Sequence, residues 1–474
     1  MSVMQQPSAT GEYIIYRQRR GVELVLTLIA CAFGVVGWIV SYLNLRGAPP
    51  GDLIPGTLIW FGMALAAHFV IRWRIPYADP VILPIVFLLN GLGLAMIARL
   101  DNAKNTHAAT NQLLWTGLGI MLFAAVVIWL LDHRRLQRFP YLLFLAGMGL
   151  LLLPLVPGVG RELNGARIWI GLGPFSFQPA EVAKILLALA FAAYFYEKRD
   201  LLALAGRRFI GLEFPRARDL GPIAVMWFLS LGIMVFQNDL GTALLFFGLF
   251  TFMIYVATQR PAWPILAGVA FVIAGLLAWR FTSHVPRRVN SWLNPFSDYD
   301  ANYQIIQAQF GYAWGGLFGR GWGQGSPWLT PMNESDFIAA SLAEEVGVVG
   351  MMAMVMLYGF IVARGMKTAL ICPDGFGKLL AGGLAFTFAL QVFSIIGGIT
   401  RLLPLTGLTT PFMSQGGSSL IANWMIIGIL LVISHRARMP QRATATPQEL
   451  MTPAQSTAVI AKCTVTYERS VSSS

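Results

Sequence analysis

Runs of about 18 or more apolar residues recur along this chain from residue 22 to residue 434. Each is long enough to cross roughly 30 Å of hydrocarbon as a helix. Inside lipid a backbone N–H or C=O has no water to turn to, so a spanning chain must form helices or a closed barrel. A barrel would show weak ten-residue alternation instead of continuous apolar runs. The sequence therefore predicts an all-α polytopic membrane protein. Its spans fall near 22–43, 53–72, 81–99, 112–131, 139–156, 179–197, 222–236, 240–257, 263–280, 338–363, 379–400 and 416–434, about twelve transmembrane helices. Only Gln237-Asn238-Asp239 separates 222–236 from 240–257, which leaves either a tight hairpin or one broken helix.

The formal charge of +12 would suit a nucleic-acid binder, but its distribution argues for topology. With the N-terminus inside, Arg17/Arg19/Arg20, Arg72/Arg74, Arg134/Arg135/Arg138, Arg207/Arg208, Arg364/Lys367 and Arg436/Arg438 all fall in cytoplasmic segments. This orientation predicts a multi-pass protein of the cytoplasmic membrane with both termini cytoplasmic, and no nucleic-acid partner. Cys31, Cys372 and Cys463 lie far apart, and the five histidines form no metal-binding pair, so neither a disulfide framework nor a zinc motif is indicated. Residues 1–20 are polar and basic and do not read as a cleavable signal peptide. No Walker A or GxGxxG sequence supports a nucleotide-driven pump.

The expected organisation is a cytoplasmic segment 1–21, an N-terminal transmembrane pair in 22–80, a membrane domain 81–435 and a disordered cytoplasmic tail 436–474 rich in Ser, Thr, Pro and Gln. Two external segments stand out: a short Gly-rich one at 157–178 and a long polar loop at 281–337. The aromatic residues in Gly311–Gly325 suggest that this loop packs on the membrane surface.

Carboxylates at a membrane boundary are costly and need a reason. Asp336 stands where the long loop meets an apolar helix. It suits either a helix N-cap or a base at the rim of an apolar cavity. Glu344 lies about 12 Å further along that helix, too far to share one substrate atom with Asp336. Glu344 and Glu345 point to different sides and read as supports. Glu181 and Lys184 can pair at i, i+3, or Lys184 can face a cavity and bind an anion. Asp239 suits a cap better than chemistry. Arg167 beside Trp169 is either an interfacial anchor or an anion ligand. Ser414 and Ser418 lie in a small-residue loop fit for close helix packing or for the wall of a head-group site.

Taken in order, these segments resemble the RodA/FtsW (SEDS) family. The matching pieces are Asn164-Gly165-Ala166-Arg167, Phe177-Gln178-Pro179-Ala180-Glu181 through Lys184, Asp239-Leu240-Gly241-Thr242, Tyr303-Gln304 with Gln307, Asp336-Phe337-Ile338, Glu344-Glu345 through Gly347, and Thr406-Gly407-Leu408 through Gly416-Gly417-Ser418-Ser419. Departures from the family pattern are Met332, Glu334-Ser335, Gln415, Ile168 and Asn302.

The resemblance implies a peptidoglycan glycosyltransferase that polymerises lipid II, an undecaprenyl-pyrophosphate-linked disaccharide, at the outer face of the membrane, for elongation or division. It implies Asp336 as the base of an inverting displacement. Arg167, Lys184, Arg287 and Arg288 are the cations available to the pyrophosphate leaving group, and Glu181, Gln304, Gln307, Ser414 and Ser418 are further contacts. A divalent cation, Mg or Mn, could serve the same charge, though no ligand set for one is evident. The implied partners are a class B penicillin-binding protein and other membrane proteins of the elongation or division complex. A lipid-precursor flippase and a non-catalytic scaffold are the competing functions.

Overall fold

A computed structural model describes residues 17–442 except 164–165, 173–174, 204–206, 210–211, 215–216 and 283, together with 3–4, 6–7 and 13–14. Two units are present. The smaller comprises residues 1–17 and 438–474, in which Val3 pairs with Arg442 and Gln6 with Ile14 in short antiparallel ladders. Most of the tail expected to be disordered lies outside the described residues. The larger unit, 18–437, holds the membrane helices.

Among the described residues ten helices are long and apolar enough to cross a membrane, and two shorter apolar helices accompany them. In chain order the helices are α1 (Arg20–Arg46), α2 (Leu53–Arg74), α3 (Ile82–Lys104), α4 (Ala108–Trp129), α5 (Pro140–Leu152), α6 (Pro179–Glu197), α7 (Arg199–Ala203), α8 (Ala217–Phe236), α9 (Leu240–Thr258), α10 (Ala262–Phe281), α11 (His284–Leu293), α12 (Tyr303–Gly315), α13 (Ile338–Ile371), α14 (Gly375–Ile399) and α15 (Gly417–Arg438). All twelve apolar runs read from the sequence become helices. Helices α8 and α9 form a hairpin: Asn238 adopts a left-handed conformation (φ 60°), and Asp239 N–H returns to the Met234 carbonyl. Trp227 then stacks on Phe250 across the pair, 4.7 Å between centroids. The Gly-rich segment after α5 folds as a three-stranded antiparallel sheet of Gly160–Leu163, Ala166–Leu172 and Phe175–Phe177.

The long loop departs from expectation. It contains α11 and α12, and within 316–328 the stretch around Trp322–Pro327 is tucked among the helices, with Gly323, Gly325 and Pro327 buried, while Leu317 and Phe318 stay exposed. Trp322 Nε1 donates to the Gly37 carbonyl and the Ser41 hydroxyl of α1, at 2.8 and 2.7 Å. Gly37 is nine residues below the end of α1, about 14 Å at 1.5 Å per residue. The insertion is possible because α13 breaks at Gly347 (φ 70°, ψ −174°). Arg320 and Gly321 N–H bond the carbonyls of Glu344 and Glu345, while Val348 and Val349 N–H bond those of Gly316 and Leu317, all at 3.0–3.1 Å. The loop backbone thus satisfies the groups that the broken helix frees, which is what non-helical backbone at membrane depth requires. A Cβ on Gly347 would lie 2.4 Å from Gly319 N and Leu317 O, so glycine is obligatory there.

The N-terminal pair is built into the bundle. Helix α1 lies against α3 with Gly34 on Gly91, so close that a Cβ on Gly34 would meet Gly91 Cα at 2.9 Å. Such small-residue contacts let membrane helices approach and gain dispersion energy. The core of the domain centres on Trp424 of α15, packed edge-on against Phe87, Phe123 and Phe412.

Candidate active site

Asp336 closes a tight turn fixed from three sides. Met332 is left-handed (φ 53°) and its carbonyl accepts from the N–H groups of Ser335 and Phe337. Lys104 of α3 donates to Asn333 Oδ1 (2.5 Å) and Glu334 Oε2 (2.7 Å). The loop before α15 supplies the third hold: Ser414 Oγ donates to the Ser335 carbonyl (2.6 Å) and Gln415 N–H to that of Glu334 (2.8 Å). That loop is itself tied to α4, because Gln112 Nε2 donates to Ser414 O and Gln112 Oε1 accepts from Gly416 N–H. Gln304 of α12 donates to the Pro331 carbonyl at 3.2 Å, at the start of the same turn.

The N-cap of α13 is Phe337, without a side-chain bond. Asp336 therefore does not serve the capping role open to it. Its carboxylate lies beside Gly407 (φ 71°), where a Cβ would sit in ordinary contact, 4.0 Å from Oδ2. Burial pushes the Asp336 carboxyl up to about 6, against the opposing effects of the Ser335 hydroxyl and the Arg288 guanidinium.

Arg288 of α11 is the cation at this site. Its guanidinium interacts with Asp336 and Asp239 and donates to the carbonyls of Leu405 and Thr406 at 3.3 and 3.4 Å. Asp239 caps α9, accepting from Thr242 N–H at 3.0 Å. Its other oxygen accepts from Gln178 at 3.4 Å, and the Glu181 charge is also felt there. Lys184, 3% exposed, is held by Glu181 (2.8 Å) and Gln391 (3.2 Å), and Gln391 in turn donates to the Thr409 carbonyl. A polar track thus runs from Asp336 through Arg288 and Asp239 to the buried Glu181–Lys184 pair.

The remaining sequence candidates are less closely gathered. Arg287 is exposed on α11. Gln307 donates to Tyr299 Oη at 3.3 Å. Ser418 is buried at the start of α15. Arg167 lies on the middle strand of the sheet, within reach of Gly160, and Asn164 and Gly165 fall outside the described residues. Glu344 and Glu345 hold the inserted loop: Glu344 Oε1 accepts from Ser326 N–H (2.7 Å) and Glu345 Oε2 from Gly323 N–H (2.9 Å). Sequence reasoning missed Arg99, which forms an ion pair with Glu345 at 3.2 Å and donates to the carbonyls of Gly323 and Gly325. The available signal was an arginine inside an apolar run, which has to face protein.

Replacing Lys184 with Ala strands Glu181 in the bundle, an error that costs about 3–5 kcal/mol for buried pairs. We expect a clearly lower melting temperature of the detergent-solubilised protein. The double variant Lys184→Met/Glu181→Gln should recover much of the loss.

The comparisons with known proteins match this architecture. The model of the FtsW/RodA/SpoVE cell cycle protein family matches residues 80–439. The peptidoglycan glycosyltransferase RodA of Mycobacterium tuberculosis is 46% identical over 432 residues, covering 90% of this chain and 92% of the relative. Stage V sporulation protein E of Bacillus subtilis is 34% identical, covering 76% and 98%. Among solved structures, a chain from a study of coordinated polymerization and crosslinking by a peptidoglycan synthase complex aligns with a TM-score of 0.63 at 29% identity, covering 77% of this chain and 99% of that one. The rod shape determining protein RodA of Thermus thermophilus aligns with a TM-score of 0.53 at 29% identity, covering 78% and 100%. By this extent of match, over an ordered set of motifs and a shared helical bundle, the chain belongs to the FtsW/RodA/SpoVE family.

Proposed function

We propose that this protein is a peptidoglycan glycosyltransferase that polymerises lipid II by an inverting displacement, with Asp336 as the general base. The observation that carries the reading is Asp336 itself: a partly buried carboxylate, unused by the adjacent helix, raised to about 6 and flanked by a guanidinium. A base poised near the working pH is both ionised and able to hold a proton. In the reaction the acceptor sugar hydroxyl attacks the donor's anomeric carbon and the bond to the pyrophosphate oxygen breaks. The hydroxyl proton passes to Asp336, and the pyrophosphate leaves as an anion. One displacement converts the α-linked donor to a β-linked product without a covalent intermediate.

The leaving pyrophosphate needs positive charge more than a proton. Arg288 beside Asp336 and the exposed Arg287 on the same helix are best placed to supply it; Lys184 is already engaged by Glu181 and Gln391. Arg167 is assigned to the same anion at longer range. A Mg or Mn ion has a poor ligand set here. Among the described residues the one group of three candidate ligands is His133, Cys372 and Asp374. It lies beyond the far end of α4 from Asp336, so no step is routed through an ion.

The orientation with loop 281–337 outside and both termini cytoplasmic rests on the Lys and Arg distribution. RodA names among the relatives at 45–46% identity favour a role in elongation and cell shape. A transpeptidase of the class B penicillin-binding type is the proposed partner, supported by the polymerization-and-crosslinking complex among the structural neighbours.

The test is lipid II polymerisation by the purified protein, with and without that partner, alongside a lipid-translocation assay in vesicles. Loss of polymerisation in Asp336→Ala with translocation unchanged supports the enzyme. Wild-type polymerisation in that variant sinks the base assignment, and loss of translocation alone supports a flippase. Arg288→Gln should lower kcat/KM by about 10²-fold. Because Arg288 lowers the Asp336 pKa, its removal should also move the acid limb of the pH profile to higher pH.

A further inference from the structure

The N-terminal pair α1–α2 precedes the family match, which begins at residue 80, and encloses a cavity of about 480 Å³ against α3 and α4. That volume is within the range of small-molecule sites, roughly 300–1,000 Å³. The cavity begins at the end of the bundle that carries Asp336, where Arg46, Asp52, Asn102 and His107 form a polar rim. It continues down between the helices to Gly34, Trp60 and Gly91. Gly34 is twelve residues below Arg46 on α1, so the slot is about 18 Å deep.

The chemistry changes along that depth. The lower walls are Trp60, Val35, Leu94, Ala95 and Ala98, which suit a chain of methylene groups. Near the rim, Asn102 Nδ2 is buried without a hydrogen-bond partner among the described residues. Unmet donors of this kind are costly unless a ligand or water serves them. At the rim, Arg46 and Asp52 are both exposed and bring opposite charges to one mouth. The other rim carboxylate, Asp101, is occupied in capping α4 through the N–H groups of Ala108 and Ala109, at 3.0 and 2.7 Å.

We propose that this cavity is a binding site for a zwitterionic glycerophospholipid from the leaflet on the Asp336 side. One acyl chain fills the slot, the phosphate meets Arg46 and Asn102, and the head-group ammonium meets Asp52. A long apolar slot under a mouth with one cation and one free carboxylate matches a head that carries both signs better than one that carries a single negative charge. The site also touches the catalytic wall, since Lys104, which holds Asn333 and Glu334, is on the same end of α3 as Asn102.

Native mass spectrometry of the purified full chain, titrated with phosphatidylethanolamine or phosphatidylglycerol, tests the proposal. The wild type should bind one phosphatidylethanolamine about tenfold more tightly than phosphatidylglycerol. Ala98→Phe, which fills the slot, should weaken that binding by at least about tenfold. Arg46→Gln/Asp52→Asn should keep chain binding but lose the preference between the lipids. Both rim residues are exposed, so this variant decides the matter even if Ala98→Phe does not fold. Equal binding of the two lipids by the wild type, or an unchanged preference in the rim variant, overturns the proposal. So does unchanged binding in a folded Ala98→Phe.

Discussion

Asp336→Asn should reduce glycan polymerisation by about 10²–10⁴-fold, the range that a positioned general base contributes. The amide keeps the shape of the turn, because its holds come from the backbone of Glu334 and Ser335 and from Asn333, not from the Asp336 side chain. Stability should therefore move the other way. The Asp336 pKa is raised from 3.8 to about 6 by burial, so the folded state prefers the protonated form. That preference contributes stability below about pH 4 and is lost as pH rises through about 6. At neutral pH the ionised carboxylate is a cost, and the neutral amide removes it. The variant should melt no lower than the wild type at pH 7.5, which separates lost chemistry from lost fold. In the wild type, activity should rise with pH through about 6 and then level off. A flat profile between pH 5 and 7, or an Asp336→Asn protein that retains activity within about threefold, would show that Asp336 is not the base.

Arg99→Met should cause the largest loss of stability among single substitutions at the contacts that hold the inserted loop. Arg99 is 1% exposed; it meets Glu345 at 3.2 Å, the carbonyls of Gly323 and Gly325 at 3.1 and 3.0 Å, and the ring of Trp328 at 5.0 Å. Its removal leaves Glu345, also 1% exposed, as a buried charge facing one N–H donor from Gly323. Stranding a buried partner costs about 3–5 kcal/mol. Residues 316–328 should come loose from α13, and with them the covalent approach to the Asp336 turn. The expected readouts are a strongly lowered melting temperature, new protease cleavage within 316–328 and reduced polymerisation. Arg99→Met/Glu345→Gln should regain part of the stability, because the charge is gone. A single variant that melts within about a degree of the wild type would show that the clamp holds nothing.

The spans were legible because a membrane helix is a local object. Its backbone bonds within itself and its side chains must be apolar, so 18 to 25 residues carry the whole signal. Asp239 as a helix cap is local for the same reason: donor and acceptor lie three residues apart. The hairpin at Gln237-Asn238-Asp239 was left open by sequence, because the left-handed turn at Asn238 is one of two outcomes that those residues permit.

What joins distant parts of the chain was not legible. The ordered motifs named Asp336, but on residue type alone a cap of α13 was the better reading. The tertiary structure decided against the cap by placing Phe337 in that position and bringing Arg288 and Gly407 to the carboxylate from segments 48 and 71 residues away in sequence. Part of the loop expected on the membrane surface, around Trp322–Pro327, instead packs among the helices. Its polar backbone is satisfied by a break in another helix and by Arg99, and no single segment carries both halves of that arrangement. By itself the sequence determined that the chain spans the membrane many times, where its helices run and which acid to suspect. Which charges pair, which helix opens and what surrounds Asp336 depend on contacts between residues far apart in the chain, and these exist only once the helices have packed.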